Sequence, residues 1–513
     1  MKNTWGRLLT LALALIMALS CLAFVGCEND TPQDPDTQDP GTQNPGTQDP
    51  GTQDPTEGSG EDYLLSIPKK DYGKTFTFLT HGGRMRSGEV YFESEDEVIG
   101  DPVDTAIFYR NNRVAEHLGV TFDLISDPNG TYDKRSAYIS RVQQSYNSGD
   151  QDFQLISIYE ACASELVVLG LGADANSLEA IDFSSPWYVQ SWIENTLIND
   201  RVYMLLSDLS YTMWQFINAM YLNKQLSDEL NITDSLYTMA ADGDLTLDYV
   251  MSCAELVTED DGDDIWDEND KYGICFNVFN CRAFLTYFDI PVVAKDDIGE
   301  YELVYYTERT ENVYSTLQDY MFNYNYVYLN NKVIKGDHNN YTVTLPMFME
   351  DRLLFFPGQL EWSQELRDMD GAFGILPLPK FNDEQENYRT HSNDVFTVFV
   401  IPAHASDLEF CATVFDTLSA ENKYSVIPAF YDVVLKGRTT RDEQSVEMLD
   451  LIRENLYFDF AFAHTASLSG MWAHYGNDIA APVNTSFKTS YDRNLSMYQE
   501  KLSALMDAYW KIR

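Results

Sequence analysis

The sequence predicts an α/β protein of at least two lobes, held outside the cytoplasm. Three observations point there. Strand and helix patterns alternate from Thr75 to Ile158, which implies a parallel sheet covered by helices. Some 450 residues follow Tyr63, too many for one simple core. An apolar N-terminal run ends at a cysteine and is followed by a proline repeat.

The N-terminus reads MKNTWGRLLTLALALIMALSCLAFVGC. Lys2 and Arg7 form a positive region ahead of the apolar stretch from Leu8 to Phe24. That is the pattern of a secretion signal. The stretch approaches spanning length, so its end decides between a cleaved signal and a permanent helix. Val25-Gly26-Cys27 resembles the lipobox of bacterial lipoproteins, in which the signal is cut before a cysteine that takes lipid. Cys21 is the competing position, but charged and turn-forming residues start directly after Cys27. Residues 1–26 are thus expected as signal peptide and Cys27 as lipid anchor.

Residues 27–61 carry a TQDPG repeat with one proline per period. Proline fixes φ and removes a donor, and the segment has almost nothing apolar to bury. A disordered spacer is expected, reaching on the order of 100 Å if extended at about 3.1 Å per residue.

Within the folded part, Thr75–Leu79 reads as a strand and Thr80–Gly83 as a loop. A helix is predicted from about Asp104, its N-cap, to Gly119, with Ile107, Val114 and Leu118 on one face. Val120–Leu124 alternates like a strand. A second helix is predicted from Lys134 to Tyr146, burying Ile139, Val142 and Tyr146, and Gly149 ends it. Phe153–Ile158 reads as the third strand. Ligands of such sheets sit beyond the carboxyl ends of the strands.

The chain has 34 Lys+Arg against 81 Asp+Glu, a net charge of −47, which disfavours nucleic acid and anionic headgroups as partners. Setting aside Cys21 and Cys27 leaves five of the seven cysteines, with no C-x-x-C, so neither a disulfide framework nor a zinc site is expected. No metalloprotease, nucleophile-elbow or phosphate-loop motif occurs, and no cofactor is expected. Glu259–Asp270 crowds carboxylates around Gly262, as calcium would want, but the spacing departs from the EF-hand. A solvated acidic loop is the expectation there.

Several stretches in one order resemble the sugar-binding extracellular solute-binding proteins of ABC importers, the maltose-binding class. They are Arg110–Val120, Ser185-Pro186-Trp187-Tyr188, Asn199–Tyr203, Tyr221-Leu222-Asn223-Lys224, Asp270-Lys271-Tyr272-Gly273 and Phe373–Lys380. The resemblance covers roughly residues 62–513. It implies a two-lobed, periplasmic-binding-protein-like (type II) fold with hinge-linked lobes and a ligand cleft between them. Lobe one would be 62–207 plus 396–430, lobe two 211–391 plus 433–513, with crossings at Ser207–Ser210 and Ser392–Val395.

The implied function is capture of a carbohydrate, an oligosaccharide, for delivery to the permease subunits of an ABC importer at the extracytoplasmic face of the membrane. A carrier that must close and dock is expected as a monomer that does no chemistry. The alternatives are a surface glycan hydrolase, or the same fold carrying a peptide or polyamine.

Aromatics are 13% of the chain, with 33 Tyr, 28 Phe and 8 Trp. Flat rings stack on the C–H patches of sugars while carboxylates and amides take the hydroxyls. The resemblance picks out Tyr159 and Glu160 after a strand of lobe one, Trp362 after the Leu353–Phe356 strand, and Trp472 and Tyr475 between glycines. Trp187 and Trp214 join them, with Asp208, Asn393 and Asp394 at the crossings. Each also has a structural reading: a core ring for the aromatics, a turn or cap for Asp and Asn.

Overall fold

The computed structural model describes residues 63–512, apart from 65, 83–87, 298, 330–340, 436–442 and 482–485. The signal stretch, Cys27 and the repeat lie outside the described residues. Among the described residues no helix is long and apolar enough to cross a membrane.

The first sheet begins with β1 (Lys74–His81), two residues longer at its end than the sequence suggests. Helix α1 (Pro102–Leu118) follows. Its N-cap is Asp101 rather than Asp104: the Asp101 carboxylate accepts from the Val103 and Asp104 amides at 2.8 and 3.1 Å. Pro102 then takes the first helical position, where no amide is needed. Gly119 ends the helix in the left-handed region, at φ 61°.

Strand β2 (Val120–Asp127), helix α2 (Arg135–Ser148) and strand β3 (Leu155–Tyr159) complete the run. Tyr146 is exposed, not buried; the inner face of α2 is Tyr138, Ile139, Val142 and Ser145. Tyr138 ties this helix to the sheet, its hydroxyl donating to the carbonyls of Leu79 and Ser157 at 3.1 and 2.6 Å. Both β2 and β3 run parallel to β1. Helix α3 (Glu160–Val167) starts directly at the end of β3. Between Ile198 and Arg201 the chain reverses through Asn199 and Asp200, at φ 55° and 60°. That is the paired positive-φ geometry of a two-residue hairpin turn.

After the short helix α4 (Tyr211–Gln215) the chain builds a second sheet. Its strands are β4 (Asn218–Asn223), β5 (Tyr272–Phe276), β8 (Val327–Leu329), β9 (Leu353–Gln359) and β10 (Phe373–Leu376), in the order β10-β4-β9-β5-β8. Strands β6 (Val293–Lys295) and β7 (Tyr301–Leu303) form a separate ribbon. All residues of β4, β5 and β9 are buried, the mark of strands covered on both faces. Helix α5 (Val278–Arg282) follows β5, capped by a reciprocal Asn277–Asn280 box. Helix α6 (Tyr341–Met349) precedes β9.

Strand β11 (Thr397–Val400) returns to the first sheet antiparallel to β3, giving the order β11-β3-β1-β2. Leu205 bridges Phe399 in the first sheet, and Ile217 bridges Ser392 beside the second. The chain therefore passes outward between Leu205 and Ile217 and back between Ser392 and Thr397. Ser207–Ser210 lie in the first passage and Ser392–Val395 in the second.

Helix α7 (Leu408–Glu421) packs on α1, and α8 (Ile427–Leu435) follows a π-helical turn. Helix α9 (Glu443–Glu454) packs on β10. The next stretch touches both lobes: Ala466 donates to the Ala161 carbonyl at 3.0 Å, while Asp459 accepts from the Val292 amide at 3.0 Å. Helix α10 (Met471–Ile479) packs on α5, and α11 (Phe487–Lys511) closes the chain. Cys162, Cys253, Cys275, Cys281 and Cys411 are all buried and unpaired.

Candidate functional site

A pocket of about 550 Å³ opens where the return passage meets the second sheet. It is lined by Phe279, Tyr341, Thr342, Leu345, Gln359, Trp362, Asn393, Asp394 and Val395. Each element delivers its residue for a local reason. Strand β9 ends at Gln359 and tightens into a 3₁₀ turn, Leu360–Ser363, which carries Trp362. Helix α6 places Tyr341 against it, ring centroids 4.2 Å apart and planes tilted by 33°. Asn393 is fixed from behind, its Oδ1 accepting from Asn218 Nδ2 at 3.0 Å.

Asp394 is half-buried, and its carboxyl is raised above the usual range by burial, opposed by the charge of Arg282. Arg282 lies over the Phe279 ring at 5.0 Å, and its Nε donates to Asn477 at 2.8 Å. Behind Asp394 stands Glu160. The Glu160 amide donates to the Phe396 carbonyl at 2.9 Å and the Ala161 amide to that of Asp394 at 3.4 Å. The Glu160 side chain is fully buried, and neither carboxyl oxygen has a hydrogen-bond partner. Burial, reinforced by the charge on Asp394, pushes its pKa well up. Tyr159, just before it, is half-buried and meets the His81 ring edge-on at 4.1 Å.

Of the residues singled out from sequence, Trp362, Asn393 and Asp394 converge on this pocket, and Glu160 lies near Asp394 without lining it. The others lie elsewhere. Trp187 is buried in the first lobe, its Nε1 donating to Asp416 at 2.9 Å, beside the Tyr188 hydroxyl at 2.7 Å. Trp214 is buried and donates to Asp208 at 3.1 Å. Asp208 is buried too, 3.7 Å from Lys423 Nζ, and burial raises it to about 6. Trp472, in the first turn of α10, packs between Phe462 and His391, ring centroids at 4.9 and 5.5 Å. Its indole nitrogen has no partner. Tyr475 is a core residue whose hydroxyl donates to the Thr310 carbonyl at 2.8 Å.

Phe279, Tyr341, Gln359 and Arg282 were not legible as site residues. The Asn277–Asn280 capping pattern marks the helix that carries Phe279, but nothing local marks its ring as facing a pocket. A second cavity, about 470 Å³, is lined by Lys69, Lys70 and Lys74 at the edge of β1 and α1 and has no such aromatic wall.

In the acidic loop, Asp260, Asp261 and Asp270 bring carboxylate oxygens within 4.8 Å of one another. The loop's own amides already use them. Asp270 accepts from Asp261 and Asp267 at 2.8 and 2.7 Å, and Asp260 from Gly262 and Asp264 at 2.8 and 3.2 Å.

No family model and no curated protein matches the sequence. Solved structures match the fold. A sugar transporter from Rhizobium etli in an open conformation is 12% identical, with a TM-score of 0.53 over 86% of this chain and 100% of that one. A cyclo/maltodextrin-binding protein complexed with maltotetraose is 10% identical, with a TM-score of 0.52 over 85% and 97%. An extracellular solute-binding protein from Staphylococcus aureus in complex with maltose is 12% identical, with a TM-score of 0.50 over 86% and 98%. The chain has the type II, two-lobed α/β fold of these solute-binding proteins.

Proposed function

We propose that the protein is an extracellular solute-binding protein that captures a carbohydrate, an oligosaccharide, and delivers it to an ABC importer. The observation that carries this reading is the pocket at the lobe junction. It combines the Trp362–Tyr341 aromatic face with Asn393, Asp394 and Gln359, the mixture of flat apolar surface and placed polar groups that suits a sugar. The fold supports it, since three proteins of this fold are a sugar transporter and two maltodextrin or maltose binders. Cys27 would anchor the chain to the outer face of the membrane, and the TQDPG repeat would hold the lobes away from it. On this reading the protein binds without chemistry, affinity coming from burial of the solute as the lobes close.

Calorimetry against a panel of maltodextrins and other glycan oligomers tests the reading. Saturable binding of one glycan family, with no shortening of the oligomer on long incubation, is the expected result. Heat without saturation across the panel would overturn it, and release of shorter products would point to a hydrolase instead.

A further inference from the structure

The charges around the pocket do not balance. Asp394 lines it, and among the described residues no basic group lies within ion-pair distance of its carboxylate. Glu160, directly behind, is wholly buried with both oxygens unpartnered. The nearby cation is Arg282, whose Nε is committed to Asn477 and whose guanidinium lies over Phe279. Among the described residues, two carboxyls thus stand near one guanidinium. A buried carboxylate without a partner is unfavourable; burial raises both carboxyls, and the charge of Asp394 adds to the effect at Glu160. A positive charge supplied from outside would let both ionise. The aromatic lining suits the same charge: Trp362 and Tyr341 also line the pocket, and an aromatic ring face carries the negative side of its quadrupole. The net charge of −47 would also draw cations towards the protein.

We propose that the pocket takes a solute carrying a protonated amine, an amino sugar unit, seated on the Trp362–Tyr341 face and against Asp394, with Glu160 as the second acidic group behind it. This deepens the carbohydrate reading and rests on it for the sugar part alone. The ammonium donates to Asp394 and the sugar ring stacks on the indole. The shared chemistry is an ammonium group, which a linear polyamine also offers.

The test is calorimetry of the protein at low and moderate salt with four probes: the β-1,4 trimer of glucosamine, its fully N-acetylated counterpart, maltotriose and spermidine. The acetylated trimer has the same rings but no charge. We expect the glucosamine trimer to bind at least tenfold tighter than the acetylated one, with the gap narrowing as salt rises. Asp394→Asn should close most of that gap, and Glu160→Gln should narrow it, in variants whose thermal unfolding remains cooperative. Equal affinity for charged and acetylated trimers overturns the proposal, as does a preference that survives Asp394→Asn. Binding of neutral glycans without an amine preference would overturn it while leaving the carbohydrate carrier intact. Tight binding of spermidine with no response to any sugar would support the ammonium site and overturn the sugar reading. Absence of binding by both amines overturns the proposal outright.

Discussion

Replacing Trp362 with alanine tests where the solute lies. Trp362 is half-buried, carried on the 3₁₀ turn after β9, with Tyr341 tilted against it at 4.2 Å. A sugar ring laid on one indole face removes roughly 80 Å² of apolar surface from water, worth about 2 kcal/mol at ~25 cal/mol/Å². That corresponds to about a 30-fold loss of affinity on truncation. Trp362→Phe keeps a smaller flat face and should lose about half that free energy, roughly fivefold in Kd. Stability should move little, by about 1 kcal/mol, because the ring is half-buried and no backbone conformation depends on it. The informative control is Trp472→Phe. Trp472 is 5% exposed and does not line the pocket, so its replacement should change affinity less than about twofold while costing stability. Calorimetry gives Kd and urea unfolding gives stability for all three variants. If Trp362→Ala weakens binding less than threefold, or if Trp472→Phe weakens it as much, the assignment of the pocket fails.

The remaining predictions concern the frame that holds the site. Burial holds His391 neutral and lowers its pKa to about 3, against an unfolded value near 6.5. A group whose folded pKa is depressed contributes stability above the unfolded value and loses it as pH falls through the folded one. Wild type should therefore lose about 2.5 kcal/mol more than His391→Phe between pH 7 and 4.5, measured by urea unfolding. Equal losses would refute it. Asp208 and Asp459, raised to about 6, act in the opposite sense, since their contribution is lost as pH rises through 6, and they are common to both proteins. In α10, a Cβ on Gly476 would stand 2.0 Å from the Cys281 carbonyl oxygen. Gly476→Ala should cost about 2–4 kcal/mol and weaken ligand binding by displacing α5, which carries Phe279 and Arg282; an unchanged melting temperature would count against it.

The first sheet was legible because its elements are amphipathic at regular periods and end at glycines: Gly119 and Gly149 stand at φ 61° and 75° where the helices stop. The structure departs from the expected elements at their margins. Asp101 and Asp104 are both plausible caps by residue type, and only the carboxylate geometry separates them. Tyr146 has helical spacing to Ile139 and Val142 but falls at the end of α2, past the edge of the sheet's cover. The site was less legible because three separate segments build it, 279–282, 341–362 and 393–395. A tryptophan offers the same local signal whether its ring meets a ligand or a neighbour. The indole N–H groups of Trp187 and Trp214 reach acids, Asp416 and Asp208, that lie 229 and 6 residues away.

The two aspartates at the passages show why position in the fold outweighs residue type. Asp208 and Asp394 both sit where the chain moves between sheets. Asp208 is committed: Trp214 donates to it, Lys423 lies 3.7 Å away, and its carbonyl accepts from Asn422. Arg110 in turn donates to the Asn422 side chain and, at 2.8 Å, to the Val90 carbonyl. Arg453, over the Trp214 ring at 5.2 Å, adds a second cation on that side. These contacts tie the first passage to α1 and to the π-helical turn after α7, so Asp208 braces the start of the connection. Asp394 has the opposite surroundings: an open pocket in front, an unpartnered Glu160 behind, and Arg282 engaged with Asn477. Asp208 has Trp214 on one oxygen, and its other oxygen, Oδ2, lacks a hydrogen bond but faces the Lys423 charge. Asp394, half-buried in the pocket lining, has no ion pair among the described residues, so on the proposed reading its carboxylate is open to an entering solute.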